Sequence, residues 1–201
     1  VYAFIAVILP LGSIVITSFM VSMSKGLSLD NFGFDAWIPV LENSQYLDCI
    51  WRSLGYAFIA ATIGTILSLF VAYLSVKTHV KGRSLPDLLV MVGGSTPSVV
   101  IALALIITFS GNYGLNLYST MWILIVSYLV KYMTMSVRTI AASLSQVSSS
   151  LEEAGLNSGA GWLRICKDII MPLIAPSIVA GWFLIFMPSF YELTMSNLLY
   201  G

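Results

Sequence analysis

Residues 150–172 read SLEEAGLNSGAGWLRICKDIIMP, and the rest of the chain can be placed around this stretch. It holds Glu152, Glu153, Arg164, Lys167 and Asp168, five of the nine acidic and nine basic residues in the whole sequence. Long apolar segments lie on both sides, so it is a polar island. Ser150 and Glu153 fit a capping box: the Ser150 hydroxyl would cap a helix start and Glu153 would reach back from the third helical position. Gly159-Ala-Gly161 would end that helix, with Gly159 as the left-handed residue. A second helix is expected over 162–170, stopping where Pro172 opens the next segment. The expectation is two short helices joined by a glycine turn, lying along a membrane surface.

The surroundings set the class. The 201 residues are 58% hydrophobic and 9% charged, with mean hydropathy +0.93. A soluble domain carries roughly a quarter charged residues. An all-α, polytopic transmembrane helical bundle follows. Net charge is zero, which gives no bulk attraction to nucleic acid. Cys49 and Cys166 have no metal-site spacing and are expected on opposite membrane sides, as unpaired thiols. His79 stands alone in a basic loop and reads as a solvated side chain.

Five spans are expected in order: 1–23, 50–76, 85–109, 119–135 and 169–199. At 1.5 Å per residue the first would reach roughly 35 Å. Trp37 to Leu41 reads as a short interfacial helix. Ala60, Ala61 and Gly64 give the second span a small-residue face for close helix approach. Gly94, Thr96, Pro97 and Ser98 lie in a break within the third span, because proline removes a backbone donor and crowds the preceding turn. Open backbone at membrane depth is tolerated inside protein or beside a water-filled path, so the break either lines a path or packs as a kink. Asp87 is expected near Arg83. Residues 110–118 form an uncharged turn, and Lys131 would snorkel from the end of the fourth span. Residues 136–167 read as one long polar loop. Glu192, near the far end of the last span, could meet a cation, hold a gate or face headgroups. Lysine and arginine collect in the 77–84 and 136–168 loops, which places those loops in the cytoplasm.

The island's spacing now carries a resemblance. Glu153-Ala154-Gly155, three residues, Gly159, nine residues, then Ile169-Ile170-Met171-Pro172 resembles the EAA loop of ATP-binding-cassette importer permeases of type I. Gly155 stands where the pattern has its second alanine, and Met171 where it has leucine. Residues 27–31, LSLDN, are similar to a Leu-Thr-Leu-Asp-Asn stretch of such permeases, and residues 96–104 are similar to their third span, with Ser98 in place of glycine. The resemblance implies that residues 150–170 are coupling helices, with Glu153, Ala154, Gly155, Gly159, Ile169, Met171 and Pro172 docking on a cytoplasmic ABC ATPase dimer. It further implies a second permease half or subunit, an extracytoplasmic substrate-binding protein, and a bacterial-type inner membrane.

Tyr191-Glu192-Leu193-Thr194 resembles an Arg-Glu-Leu-Thr stretch of the ferric-iron branch, which makes ferric iron the first expected cargo. Polyamine, phosphonate and thiamine are the alternatives. On this resemblance residues 1–201 are one permease domain, an excerpt or second half of a longer protein that lacks the final span. No G-x-x-x-x-G-K-[ST] phosphate loop occurs, so ATP and magnesium belong to the partner and the chain itself is a transport permease rather than an enzyme. An ion-coupled secondary transporter also uses broken helices, but it needs buried ionisable groups that these spans scarcely contain.

Overall fold

The structure, a computed structural model, describes residues 2, 4–111 and 114–200. Val1 and Ala3, in the expected first span, Asn112 and Tyr113, in the expected 110–118 turn, and Gly201, the last residue of the expected permease domain, lie outside the described residues. The chain divides into two compact units, Val1–Arg52 and Ser53–Gly201.

In the first unit, α1 covers Phe4–Ser18 and starts with a π segment, Phe4–Ile8. It ends at Ser18, five residues before the expected end of the first span at 23. The cause lies just beyond it. Val21 N–H donates to Asn31 O at 2.9 Å and Gly33 N–H to Phe19 O at 2.8 Å, so the backbone turns back on itself. Asn31 is fully buried inside that turn. Its Oδ1 accepts from Ser22 N–H at 2.9 Å, and its Nδ2 donates to the carbonyls of Ser22 and Gly26 at 2.7 and 2.8 Å. The asparagine of LSLDN is thus the tie of a closed loop. Asn31→Ala should cost about 2 kcal/mol, because it leaves backbone groups unpaired. Faster proteolytic cutting between residues 20 and 33 would report it. A short helix follows, α2, Ile38–Glu42, where an interfacial helix was expected.

The second unit takes up α3, Ser44–Lys77, from within. Then come α4, Leu85–Ser95, α5, Ser98–Phe109, and α6, Met121–Gln146. The polar stretch supplies α7, Ser149–Asn157, and the start of α8, Trp162–Phe190. A last short helix, α9, is Thr194–Leu199. Among the described residues three helices, α3, α6 and α8, are long and apolar enough to cross a membrane. The α4–α5 pair is bent by 112°, so residues 85–109 are not one straight span. Thr96 is extended (φ −75°, ψ 137°) because the following proline excludes it from helical geometry, and Pro97 then opens α5.

Two more boundaries differ from expectation. Helix α6 runs to Gln146, eleven residues beyond the expected end at 135, and takes in the first part of the supposed loop. Val137, Ile140 and Leu144 recur at helical spacing and are buried, which holds that extension to the core. The last span ends at Phe190 rather than at 199. The chain turns at 191–193, and α9 buries Met195 and Leu199 in a cluster with Ile101, Leu105 and Leu124.

Small residues set the helix spacing. A Cβ on Gly64 would lie 2.7 Å from Ile185 Cδ1, and one on Gly181 would lie 2.7 Å from Ser136 Oγ. The small-residue face of α3 is buried as expected, at Ala60, Ala61 and Gly64. Trp182 Nε1 donates to Thr62 Oγ1 at 3.1 Å, adding a polar link between α3 and α8.

Candidate functional site

The 150–172 stretch folds as two helices about a glycine turn, with its start shifted from the expected residue. Ser148 is the N-cap: its Oγ accepts from Ser150 N–H at 3.3 Å. Ser150 is already helical, so Ser150 and Glu153 do not form a capping box. Glu153 and Ala154 are exposed on α7. At the other end, Gly159 has φ +76°. Gly159 N–H donates to Leu156 O at 2.9 Å and Ala160 N–H to Gly155 O at 3.1 Å. These two bonds form a Schellman motif and satisfy the last carbonyls of α7.

The second helix does not stop at Pro172. It is regular over Trp162–Ile165, widens to a π turn over Cys166–Ile170, and continues regularly from Met171 to Phe190. Pro172 lacks a donor for the carbonyl four residues back, and the wide turn before it absorbs that lost bond. The 150–172 stretch therefore joins, without a break, an apolar helix long enough to cross a membrane.

Gly155 is buried where α7 meets α8. A Cβ there would lie 2.9 Å from Ile165 Cγ1 and 3.3 Å from Ile169 Cδ1. This accounts for glycine at the pattern's second alanine: the isoleucines of α8 fill the space. Beside the contact lies a cleft of about 470 Å³, bordered by Leu151, Ala154, Ser158, Arg164, Asp168 and Ile169. Met171 opens instead onto a separate apolar cleft of about 380 Å³, with Tyr73, Trp162 and Cys166. Both cysteines are free thiols, as expected, and His79 and Pro172 are exposed.

Two contacts that the sequence did not announce hold this stretch to α3. Lys77 Nζ donates to Glu152 Oε1 at 2.6 Å and to Val147 O at 2.7 Å. Trp162 Nε1 donates to the Tyr73 hydroxyl at 2.9 Å, with the two rings edge to face.

At the α4–α5 bend, Gly93 and Gly94 let α4 lie against α6. A Cβ on Gly93 would be 2.6 Å from Val130 O, and one on Gly94 would be 2.2 Å from Thr134 Oγ1. Thr134 in turn donates to Val90 O at 2.8 Å. Lys131 lies inside α6, not at its end. It does not snorkel outward: its ammonium donates to Thr96 O at 2.7 Å and to Gly94 O at 3.3 Å. A cation there meets the negative end of α4 and satisfies carbonyls that the bend frees. Thr96 Oγ1 donates back to Val92 O, while Pro97 is exposed and Ser98 half-buried. Asp87 pairs with Arg138 of α6 at 3.4 Å rather than with Arg83, whose guanidinium donates to Thr78 O.

Glu192 is half-buried and engaged. Tyr132 of α6 donates its hydroxyl to Glu192 Oε2, and Oε1 accepts from Met195 N–H at 2.9 Å, capping α9. Tyr128, one turn before Tyr132, bonds Ser196 Oγ at 2.9 Å. Lys131 and Tyr132 thus give adjacent positions on α6 separate tasks, one at the bend and one at the α8–α9 turn. Lys131 had a sequence signal, since an ionisable residue inside a span is a functional candidate by default. Placing the end of the span at 135 concealed it. Tyr132 and Thr134 carried none.

Residues 64–201 match the family described as binding-protein-dependent transport system inner membrane component. The chain belongs to this family. This inner-membrane component is 32% identical over 183 residues to the Fe(3+)-transport system permease protein FbpB 2 of Haemophilus influenzae, covering 87% of this chain and 33% of that protein. It is 26% identical over 176 residues to the spermidine/putrescine transport system permease protein PotC of the same species, covering 88% and 67%. PotC of Escherichia coli is 25% identical over 201 residues, covering 100% and 74%. The chain therefore spans about a third of that ferric relative and two thirds to three quarters of the polyamine ones. The family's helical membrane fold agrees with the all-α architecture.

Proposed function

We propose that the chain is the transmembrane permease part of an ATP-driven, binding-protein-dependent importer, with ferric iron as its cargo. The observation that carries this reading is the continuity of α8, which makes one helix both the second coupling segment and a membrane span. A push on α7 passes through the Gly155 contact to Ile165 and Ile169, and α8 takes it into the bilayer. In this reading a cytoplasmic ATPase dimer binds ATP and magnesium and closes against Glu153, Ala154 and the neighbouring cleft. The spans then tilt, and the α4–α5 bend at Gly94, Thr96, Pro97 and Ser98 opens a path. An extracytoplasmic binding protein delivers the cargo, a second permease half completes the path, and hydrolysis resets it. Glu192 acts here by fixing the α8–α9 turn to α6.

Ferric iron rests on the 32% identity to FbpB 2 and on the stretch from Tyr191 to Thr194. A polyamine is the second reading, because PotC of Escherichia coli aligns with the whole of this chain. Uptake of labelled ferric iron and of labelled spermidine, measured in cells carrying the full permease and its neighbouring genes, separates them. Spermidine uptake without iron uptake would overturn the iron assignment.

The coupling reading has its own test. Gly159→Val forces a β-branched residue to a positive φ, at about 1–2 kcal/mol. It should loosen the turn between α7 and α8 and weaken co-purification of the ATPase subunit. Glu153→Ala, on the exposed face, should reduce binding-protein-stimulated ATP hydrolysis without altering the fold. Transport that persists with no cognate ATPase present would sink the importer reading.

A further inference from the structure

The end of α3 touches both halves of the coupling stretch. Tyr73 and Lys77 are four residues apart, so they share one helix face. Tyr73 accepts from Trp162 at the start of α8. Lys77 holds Glu152 on α7 and the carbonyl of Val147, the residue just after α6. Their side chains are only 11% and 24% exposed, for Lys77 and Glu152 respectively, so water screens the pair far less than an open surface bridge. A lysine in the last turn of α3 also suits that helix's dipole. Neighbouring glutamates thus divide: Glu152 turns in to α3, and Glu153 is left outside.

We infer that Tyr73 and Lys77 are positioning residues that clamp the coupling stretch to α3, making α3 a second helix that must move when the stretch is pushed. The inference rests on the coupling function proposed above. Helix α8 is joined to the stretch covalently, whereas α3 meets it through these two polar side chains and through apolar packing, with Leu69, Ala72 and Val76 in one cluster with Ile165 and Ile170. Removing them should leave the ATPase docked but let α3 lag behind. Motion would then reach α8 directly and α3 only through its packing on α8 along the span, and ATP would be hydrolysed with less transport.

The test uses the full permease with its ATPase and binding protein in proteoliposomes. Lys77→Met and Tyr73→Phe should each keep ATPase association, while Lys77→Met lowers transport per ATP hydrolysed by about tenfold, as expected for a coupling free energy of ordinary size. Lys77→Arg should keep coupling, because a guanidinium can reach both the carboxylate and the carbonyl. The exchange Lys77→Glu with Glu152→Lys should recover part of the transport that either single change loses. Normal transport per ATP in an assembled Lys77→Met complex would overturn the clamp.

A measurement on the unclipped clamp guards against misfolded variants. Spin labels at His79 and Asn157, both exposed, in a chain lacking Cys49 and Cys166, report the distance between the end of α3 and α7. That distance should stay the same between nucleotide-free and ATP-trapped complexes. A large change would refute joint motion. Loss of ATPase association in the unaltered permease would instead refute the coupling reading beneath it.

Discussion

Replacing Lys131 by methionine is expected to stop transport and to lower the stability of the bundle by about 3 kcal/mol. The accounting is local. Helix α4 ends at Ser95, and Thr96 N–H already serves the carbonyls of Val92 and Gly93. The carbonyls of Gly94 and Thr96 are bonded by Lys131. Pro97 has no N–H to offer, so methionine would leave these groups without a donor at membrane depth. Unpaired backbone groups there cost several kcal/mol. The α4–α5 bend would then relax or recruit water. Thermal unfolding in detergent should show the stability loss, and substrate uptake the functional one. Lys131→Arg should retain most of both, since the donors remain. Full uptake by Lys131→Met would remove the bend from the transport mechanism.

The second large effect belongs to Gly93→Val, expected to destabilise by about 3 kcal/mol or more. Most of the close glycines in this fold face the ends of side chains, which can move. Gly93 faces the backbone carbonyl of Val130, with a would-be Cβ only 2.6 Å away. Backbone inside a helix cannot turn aside, so α4 must retreat from α6. That retreat carries the neighbouring residues with it, separating Thr134 from Val90 O and Lys131 from Thr96 O. The expected signature is a lower unfolding temperature together with cross-linking between α4 and α6 that fails at positions where it succeeds in the unaltered chain. An unchanged unfolding temperature would contradict the packing described for this bend.

What the sequence made legible was local geometry. The glycine turn at 159 and the break before Pro97 follow from a positive φ and a missing donor, and both stand where the residues placed them. Boundaries set by tertiary burial were harder. Ser136, Arg138, Ser143 and Gln146 made the end of α6 look like loop, although Val137, Ile140 and Leu144 marked a buried stripe. Ser148 and Ser150 are equally good caps by type, and only the backbone decides between them. The cation at the bend was visible as an oddity, but its partners were not. They are carbonyls thirty-odd residues away that become available only once Pro97 has ended α4. Tyr132 offered no signal at all before Glu192, sixty residues on, was folded against it.

The continuity of α8 also sets how far a small movement travels. From the π turn to Phe190 the helix has twenty residues, or about 30 Å at its regular rise. A tilt of about 10° at the π turn would displace Phe190 by about 5 Å, close to one helical pitch. Helix α9 is tied at that far end through Glu192 and Tyr132, so such a swing would tug directly on α6. A shift at the π turn too small to break any contact there can thus become a displacement of about one helical pitch at the other end of α8.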